Sequence, residues 1–190
     1  LILSACSLSP TIEVPISGAT FDWPQLRDKL EQVSSWQLVG KIGVRTPKDS
    51  MTAAINRWTQ ADDLYNINLS STFFGLGAST IRGNAHFITL SEAGEPPVHS
   101  DQPDALIEAS LGIPLPVSFL QYWVKGMPVP NHPFDISFNA QGLPEQILQL
   151  GWQLNFSKFS LQQGIPLPGK IKLISDQSQI TLAIKEWTLI

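Results

Sequence analysis

Cys6 is the one cysteine in a chain of 190 residues, and it ends the run Leu3-Ser4-Ala5-Cys6. An apolar residue, two small residues and a cysteine form the lipobox pattern of bacterial lipoproteins. The thiol is the nucleophile that takes a diacylglyceryl group, and the small residues let a signal peptidase cut just before it. Cys6 is therefore the expected lipidation site, and residues 1–5 the expected remnant of a signal peptide. A lone cysteine also excludes an intramolecular disulfide framework. Burying an acyl methylene contributes about 0.8 kcal/mol and one chain binds only marginally, so a cysteine with two or three chains is what anchors a domain durably. In lipoproteins of this type an aspartate after the cysteine favours retention at the inner membrane. Ser7 stands there instead, which points to the outer membrane.

No other residue group has the spacing of a reactive centre. His86, His99 and His132 are far apart in sequence and lack the clustering of a zinc site. No Gly-x-Ser-x-Gly or Ser-x-x-Lys run is present. Gly75-Leu76-Gly77-Ala78-Ser79-Thr80 begins like a dinucleotide loop but lacks its third glycine and joins two strands. Asp101 and Asp104 suit a helix start better than paired acid–base work. The expectation is a protein that is not an enzyme, with no metal and no cofactor beyond the lipid on Cys6. A net charge of −4 argues against nucleic acid, which needs a basic field. No apolar run approaches the ~20 residues that span a bilayer as a helix.

These features must be carried by a mainly β chain. Cys6 to Thr20, rich in Ser, Pro and Thr, reads as a flexible tether, and 21–190 as a single domain. Asp22 as N-cap with Leu26, Leu30 and Val33 at helical spacing predicts a helix over 22–34. From Trp36 the period changes to two, predicting strands over 36–44, 51–60, about 65–69, 79–83 and 85–91. Pro103 with Leu106, Ile107 and Leu111 opens a helix that Gly112 ends, and Pro116 opens another that Gly126 ends. Strands resume over 134–139, 145–150, 152–159, 170–175 and 179–187. One large curved antiparallel sheet with inserted apolar helices is the simplest architecture. If the sheet curls without closing, those helices lie over its mouth as a lid.

The composition is 43% hydrophobic and only 15% charged, with six tryptophans and nine phenylalanines. Tryptophan fills cores, but Trp58, Trp123, Trp152 and Trp187 in so small and charge-poor a chain favour a wide apolar cavity suited to acyl chains. Trp187 is out of phase with Ile180, Leu182 and Ile184, so either a bulge precedes it or it faces the other side.

Trp36-Gln37-Leu38-Val39-Gly40-Lys41-Ile42 resembles the Trp-x-Leu-x-Gly-Lys-Ile opening of the LolB family of outer-membrane lipoprotein receptors. The resemblance continues in order through Arg57-Trp58-Thr59-Gln60, Tyr65, Leu111 to Pro116 and Trp123-Val124-Lys125-Gly126-Met127-Pro128. It ends with Gly151-Trp152, Leu167-Pro168-Gly169-Lys170-Ile171 and Ile184-Lys185-Glu186-Trp187. It implies an unclosed antiparallel β-barrel with an α-helical lid around a hydrophobic cavity. It also implies a monomeric receptor that accepts acylated lipoproteins from the periplasmic carrier LolA and places them in the outer membrane. Under that resemblance Trp58, Tyr65, Tyr122, Trp123, Trp152 and Trp187 become acyl-cavity candidates. The family carries a protruding apolar residue before a glycine in the loop that corresponds to 72–77. Here Phe74 precedes Gly75, with Phe73 and Leu76 as neighbours, so these three are the membrane-insertion candidates. The alternative is a static outer-membrane lipoprotein that binds another protein and has its tryptophans in a solid core.

Overall fold

The computed structural model describes residues 16, 18–70, 78–111 and 115–190. Cys6, Phe73, Phe74 and Leu76 lie outside them. The period-two segments become β1 (Ser35–Arg45), β2 (Ser50–Ala61), β3 (Leu64–Ser70), β4 (Ser79–Gly83), β5 (Ile88–Glu92) and β6 (Val98–Ser100). After the inserted helices come β7 (Phe134–Phe138), β8 (Pro144–Gln149), β9 (Trp152–Ser157), β10 (Ser160–Gln162), β11 (Ile165–Leu167), β12 (Lys170–Ile174) and β13 (Gln179–Leu189). Eleven of these strands form one antiparallel sheet in the order β6-β5-β4-β3-β2-β1-β13-β12-β9-β8-β7, and β10 pairs with β11 alone. The edges β6 and β7 do not pair with each other, so the sheet is not closed into a barrel.

Three sequence expectations need correcting. The fifth strand begins at Ile88, because Asn84 Oδ1 accepts from the backbone N–H of His86 and Phe87 and folds 84–87 into a turn. The strand expected to run to Phe159 ends at Ser157, where Lys158 at φ 58° breaks it, and the short β10–β11 hairpin comes next. The helix expected from Pro116 is a 3-10 turn, Val117–Phe119, running into α3 (Leu120–Trp123), with α1 (Trp23–Gln32) and α2 (Pro103–Leu111) as the longer helices.

Curvature is concentrated at one level of the three central strands. The register of β1 with β13 shifts between Val39 and Gly40, and that of β1 with β2 between Leu38 and Gly40. Val39 and Gly40 pair with Glu186 and Ile184, so Lys185 is the extra residue on β13. Such an insertion bends a strand and increases its twist. It also inverts the alternation beyond it. Ile180, Leu182 and Ile184 are buried at even positions, yet Trp187 is buried at an odd one. On β2 the buried series likewise jumps from Ile55 to Trp58. A bulge is therefore what brings Trp187 back to the interior. The flanking strands approach so closely here that a Cβ on Gly40 would collide with the Ala183 carbonyl.

Topology makes the lid obligatory. The chain leaves one edge of the sheet at β6 and re-enters at the opposite edge, β7, and the described residues between them, 101–111 and 115–133, pack across a face. They cross the inward one, where Ile107, Leu115, Val117 and Leu120 are buried. The far end of this crossing is pinned to α1. Lys125, only 7% exposed, donates from Nζ to the carbonyls of Leu30 at 3.0 Å and Val33 at 2.8 Å, beside the helix C-terminus. Gly126 at φ 80° then ends α3, with its N–H bonded to the Trp123 carbonyl and that of Met127 to the Tyr122 carbonyl.

Gly40→Val forces the central strands apart and should cost more than about 2 kcal/mol, read as a lowered urea midpoint. Lys125 makes stability depend on pH. Burial lowers its ammonium to about 8, against a smaller opposing effect of Glu31. The unfolded chain then holds more protons between pH 8 and 10.5, so this group makes stability rise with pH through that window. Urea midpoints at about pH 7.5 and about pH 9.5 should show that increment in the wild type and not in Lys125→Met.

Candidate acyl-chain cavity

The inward positions of the curved sheet converge on one pocket. Its floor is built by Ile55, Trp58, Ile67, Ile81, Leu173 and Leu182, from β2, β3, β4, β12 and β13. Its roof is Ile107 of α2, Leu115, Val117 of the 3-10 turn and Leu120 of α3. Every lining residue is Ile, Leu, Val or Trp, and the surface they turn toward the pocket is apolar. Its volume is about 40 Å³. That is close to one water's ~30 Å³ share of liquid. The roof must rise before an acyl chain can enter.

The roof is held unevenly. Asp104, in the first turn of α2, accepts from the Ser118 N–H at 3.3 Å and from Ser118 Oγ at 3.2 Å, which ties α2 to the rest of the lid. Apart from the local bonds between Ser100 at the end of β6 and Gln102, the polar ties from the lid to the sheet among the described residues begin at Gln121, whose Oε1 accepts from Gln60 Nε2 at 3.4 Å. They strengthen at Trp123, whose indole Nε1 donates to Gln149 Oε1 at 3.0 Å. The same oxygen accepts from the Val129 N–H at 2.8 Å, and Gln149 Nε2 donates back to the Val129 carbonyl at 2.9 Å. One buried glutamine thus clamps the lid's exit to the end of β8. The α2 half rests on apolar contact, which resists lifting without fixing a single geometry.

The predicted site residues fall into separate groups. Trp58 lines the pocket. It packs at 5.6 Å between ring centroids on Trp36, which in turn meets Trp187 at 5.2 Å. Trp187 donates from Nε1 to the Pro168 carbonyl at 3.0 Å. Trp123 and Trp152 form a second pair, 6.4 Å apart, beside Gln149. Tyr65 is buried on β3 next to the pocket residue Ile67, and Tyr122 is half-buried against the core. Among the described residues the pocket lining includes Trp58 and not Trp123, Trp152, Trp187, Tyr65 or Tyr122. Sequence reasoning passed over Trp36, the ring that joins two of the candidates, and Gln149. The opening motif Trp36-Gln37-Leu38 carried a signal for the first. A glutamine at a strand end gives none for the second.

Among the described residues no group of His, Cys, Asp and Glu could hold a metal ion, and no helix is long and apolar enough to cross a membrane. A LolA superfamily protein from Nitrosomonas europaea has a similar fold, with a TM-score of 0.53 at 10% identity, covering 88% of this chain and 93% of that one. A DUF1329 family protein from Desulfovibrio piger also scores 0.53, at 7% identity, covering 87% and 90%. In sequence, the outer-membrane lipoprotein LolB of Stutzerimonas stutzeri is 35% identical over 188 residues, 98% of this chain and 90% of that protein. The LolB of Pseudomonas fluorescens is 37% identical over 170 residues, 90% and 82% of the two chains. The family model described as outer membrane lipoprotein LolB matches residues 34–187, from the start of β1 to the bulge-turned Trp187. With that span matched, the chain belongs to the LolB family of outer membrane lipoproteins.

Proposed function

We propose that this chain is an outer-membrane-anchored receptor that accepts acylated lipoproteins from the periplasmic carrier LolA and inserts them into the outer membrane. The observation that carries the reading is the wholly apolar pocket between the sheet and its helical roof. Residues 21–190 serve as one lipoprotein-binding domain, working as a monomer on the tether 6–20 that Cys6 anchors at the periplasmic face. Transfer uses no fuel on this chain, so its direction comes from affinity. The receptor must hold acyl chains more tightly than the carrier and less tightly than the bilayer, since a ligand shifts an equilibrium only by its difference in affinity. Loss of the roof's apolar contacts, at roughly 25 cal/mol per Å² of area uncovered, opposes opening until the acyl chain re-covers that area.

The volume of about 40 Å³ is what favours the second reading, a static lipoprotein with a solid core that binds another protein. One transfer experiment separates the two. The full chain with Cys6→Ala, mixed with lipoprotein-loaded LolA, should end up holding the lipoprotein. If the lipoprotein stays on the carrier while circular dichroism shows a folded receptor, the static reading stands. Phe74, with Phe73 and Leu76 beside it, lies between β3 and β4 in sequence and is assigned to membrane insertion. Phe74→Glu should still accept lipoprotein from the carrier and fail to deliver it to liposomes. Unimpaired delivery would remove the segment from the mechanism.

A further inference from the structure

The outer face of the sheet carries a charge pattern at odds with the chain as a whole. Sixteen acids against twelve basic residues give a net charge of −4. Yet β1, β13 and β12, adjacent at the centre of the sheet, hold Lys41, Arg45, Lys170, Lys172 and Lys185 against a single acid, Glu186. Lysines on edge strands keep sheets from pairing with one another, but these three strands have neighbours on both sides. Another reason is needed for the cluster.

Four lysines meet in one groove. Lys41, Lys158, Lys170 and Lys185 stand around a hollow of about 430 Å³, and no acid lines it. Glu186 pairs with Val39 and is not part of the lining. Gly40, Gly169 and Ala183 share the lining and put almost nothing into the space. The backbone fixes this shape. A Cβ on Gly169 would meet the Lys158 carbonyl, as one on Gly40 would meet that of Ala183. The Gly169 N–H donates to the Lys158 carbonyl at 2.9 Å, and the Ile184 N–H to the Gly169 carbonyl at 2.8 Å. Lys41, Lys158 and Lys185 are exposed and Lys170 is half-buried. Among the described residues the ion pairs join Arg27 to Asp28 and Glu31 on α1, so none of the four ammonium groups has a counter-ion. Like charges gathered on one face of a sheet repel, and an anion relieves that cost.

The surroundings say which anion. Protein interfaces are held by large buried anchors, mostly aromatic or arginine. The exposed large apolar residues of the described chain, Phe87, Phe134 and Leu148 among them, lie outside this groove. The groove also shares a level with the membrane-facing end of the sheet. Lys170 pairs with Ala183, Ala183 with Lys41, Lys41 with Ala54 and Ala54 with Ser70. These five side chains therefore form one row on one face. Ser70 ends β3 and is the last described residue before the segment assigned above to membrane insertion. At roughly 4.8 Å between strands, Lys41 stands about 10 Å from that point.

Resting on that assignment for its direction, we propose that the groove of Lys41, Lys158, Lys170 and Lys185 binds the phosphates of anionic phospholipid headgroups. It holds the outer face of the sheet against the bilayer surface. A lipid anchor on a tether limits how far the domain strays but not which way it turns. A basic patch beside the anchor is a second signal that supplies the orientation.

The test uses the full chain with Cys6→Ala, so that binding owes nothing to the anchor. Co-sedimentation is measured with vesicles of phosphatidylcholine alone and of phosphatidylcholine mixed with phosphatidylglycerol. The wild type should partition roughly 10-fold or more in favour of the mixed vesicles. The preference should vanish as the Debye length falls from about 10 Å at 0.1 M salt to about 3 Å at 1 M. Each lysine near an anionic surface is worth roughly 5-fold, so Lys41→Gln with Lys170→Gln should cut the partition roughly 25-fold. Arg27→Gln with Lys29→Gln on α1 removes the same charge and should change it less than about 2-fold. Circular dichroism checks that both double variants fold. Equal losses in the two would reduce the effect to net charge and overturn the proposal, as would a wild type indifferent to phosphatidylglycerol. Release from vesicles by millimolar glycerol phosphate would overturn it in favour of a soluble phosphate. Vesicle binding that survives Lys41→Gln with Lys170→Gln, with uptake from loaded LolA lost, would reassign the groove to an acidic protein. The vesicle readouts do not pass through the apolar pocket, so their failure leaves the receptor reading intact.

Discussion

The close approach of β1 to β13 at Gly40 sets the shape of the whole sheet. Only a residue without a side chain lets the Ala183 carbonyl lie where it does, and the bulges of β2 and β13 sit at that level. The bend they produce turns the inward faces of the N-terminal and C-terminal halves of the sheet toward one another. It gives the pocket opposite walls, with Ile55 and Ile67 on one side and Leu173 and Leu182 on the other. It also swings Trp58 and Trp187 onto Trp36. A flat sheet of this order would expose the same residues in a row and enclose nothing.

The lid answers to a different constraint. An unclosed sheet whose chain leaves by one edge and returns by the other needs a crossing, and the crossing supplies the roof. Its two ends are built differently. At Trp123, Lys125 and Val129 it is held by hydrogen bonds to Gln149 and to the end of α1. At α2 the side-chain tie from Asp104 to Ser118 stays within the lid. The two ends of the crossing are therefore held by different forces, hydrogen bonds at the exit and apolar contact at α2.

Much of this architecture was legible in the sequence because the signals were local. Alternation gave most strands, and Asp22 and Gly126 mark helix ends by side-chain and backbone chemistry that neighbours do not alter. The ordered motifs carried the family. The features that escaped depend on partners distant in the chain. Whether Trp187 faces inward turns on one extra residue, Lys185, whose presence as a bulge is defined only against β1. Tyr65 and Gln60 look like ordinary strand polar residues until their register makes them neighbours. The short β10–β11 hairpin has too few residues for a period to show. The tryptophans were counted as one set because composition cannot say that Trp123 and Trp152 stack apart from Trp36, Trp58 and Trp187.

The pairing of β13 with β1 bears on how the molecule is made. Strand β13, the last described strand along the chain, lies at the centre of the sheet beside β1, and it joins two halves that share no other ladder among the described residues. Contacts between residues so distant in sequence are slow to form, because the whole intervening loop must close first. Until they form, neither half has its opposite wall. A chain caught midway through folding therefore lacks the pocket, which exists only once its two walls have met.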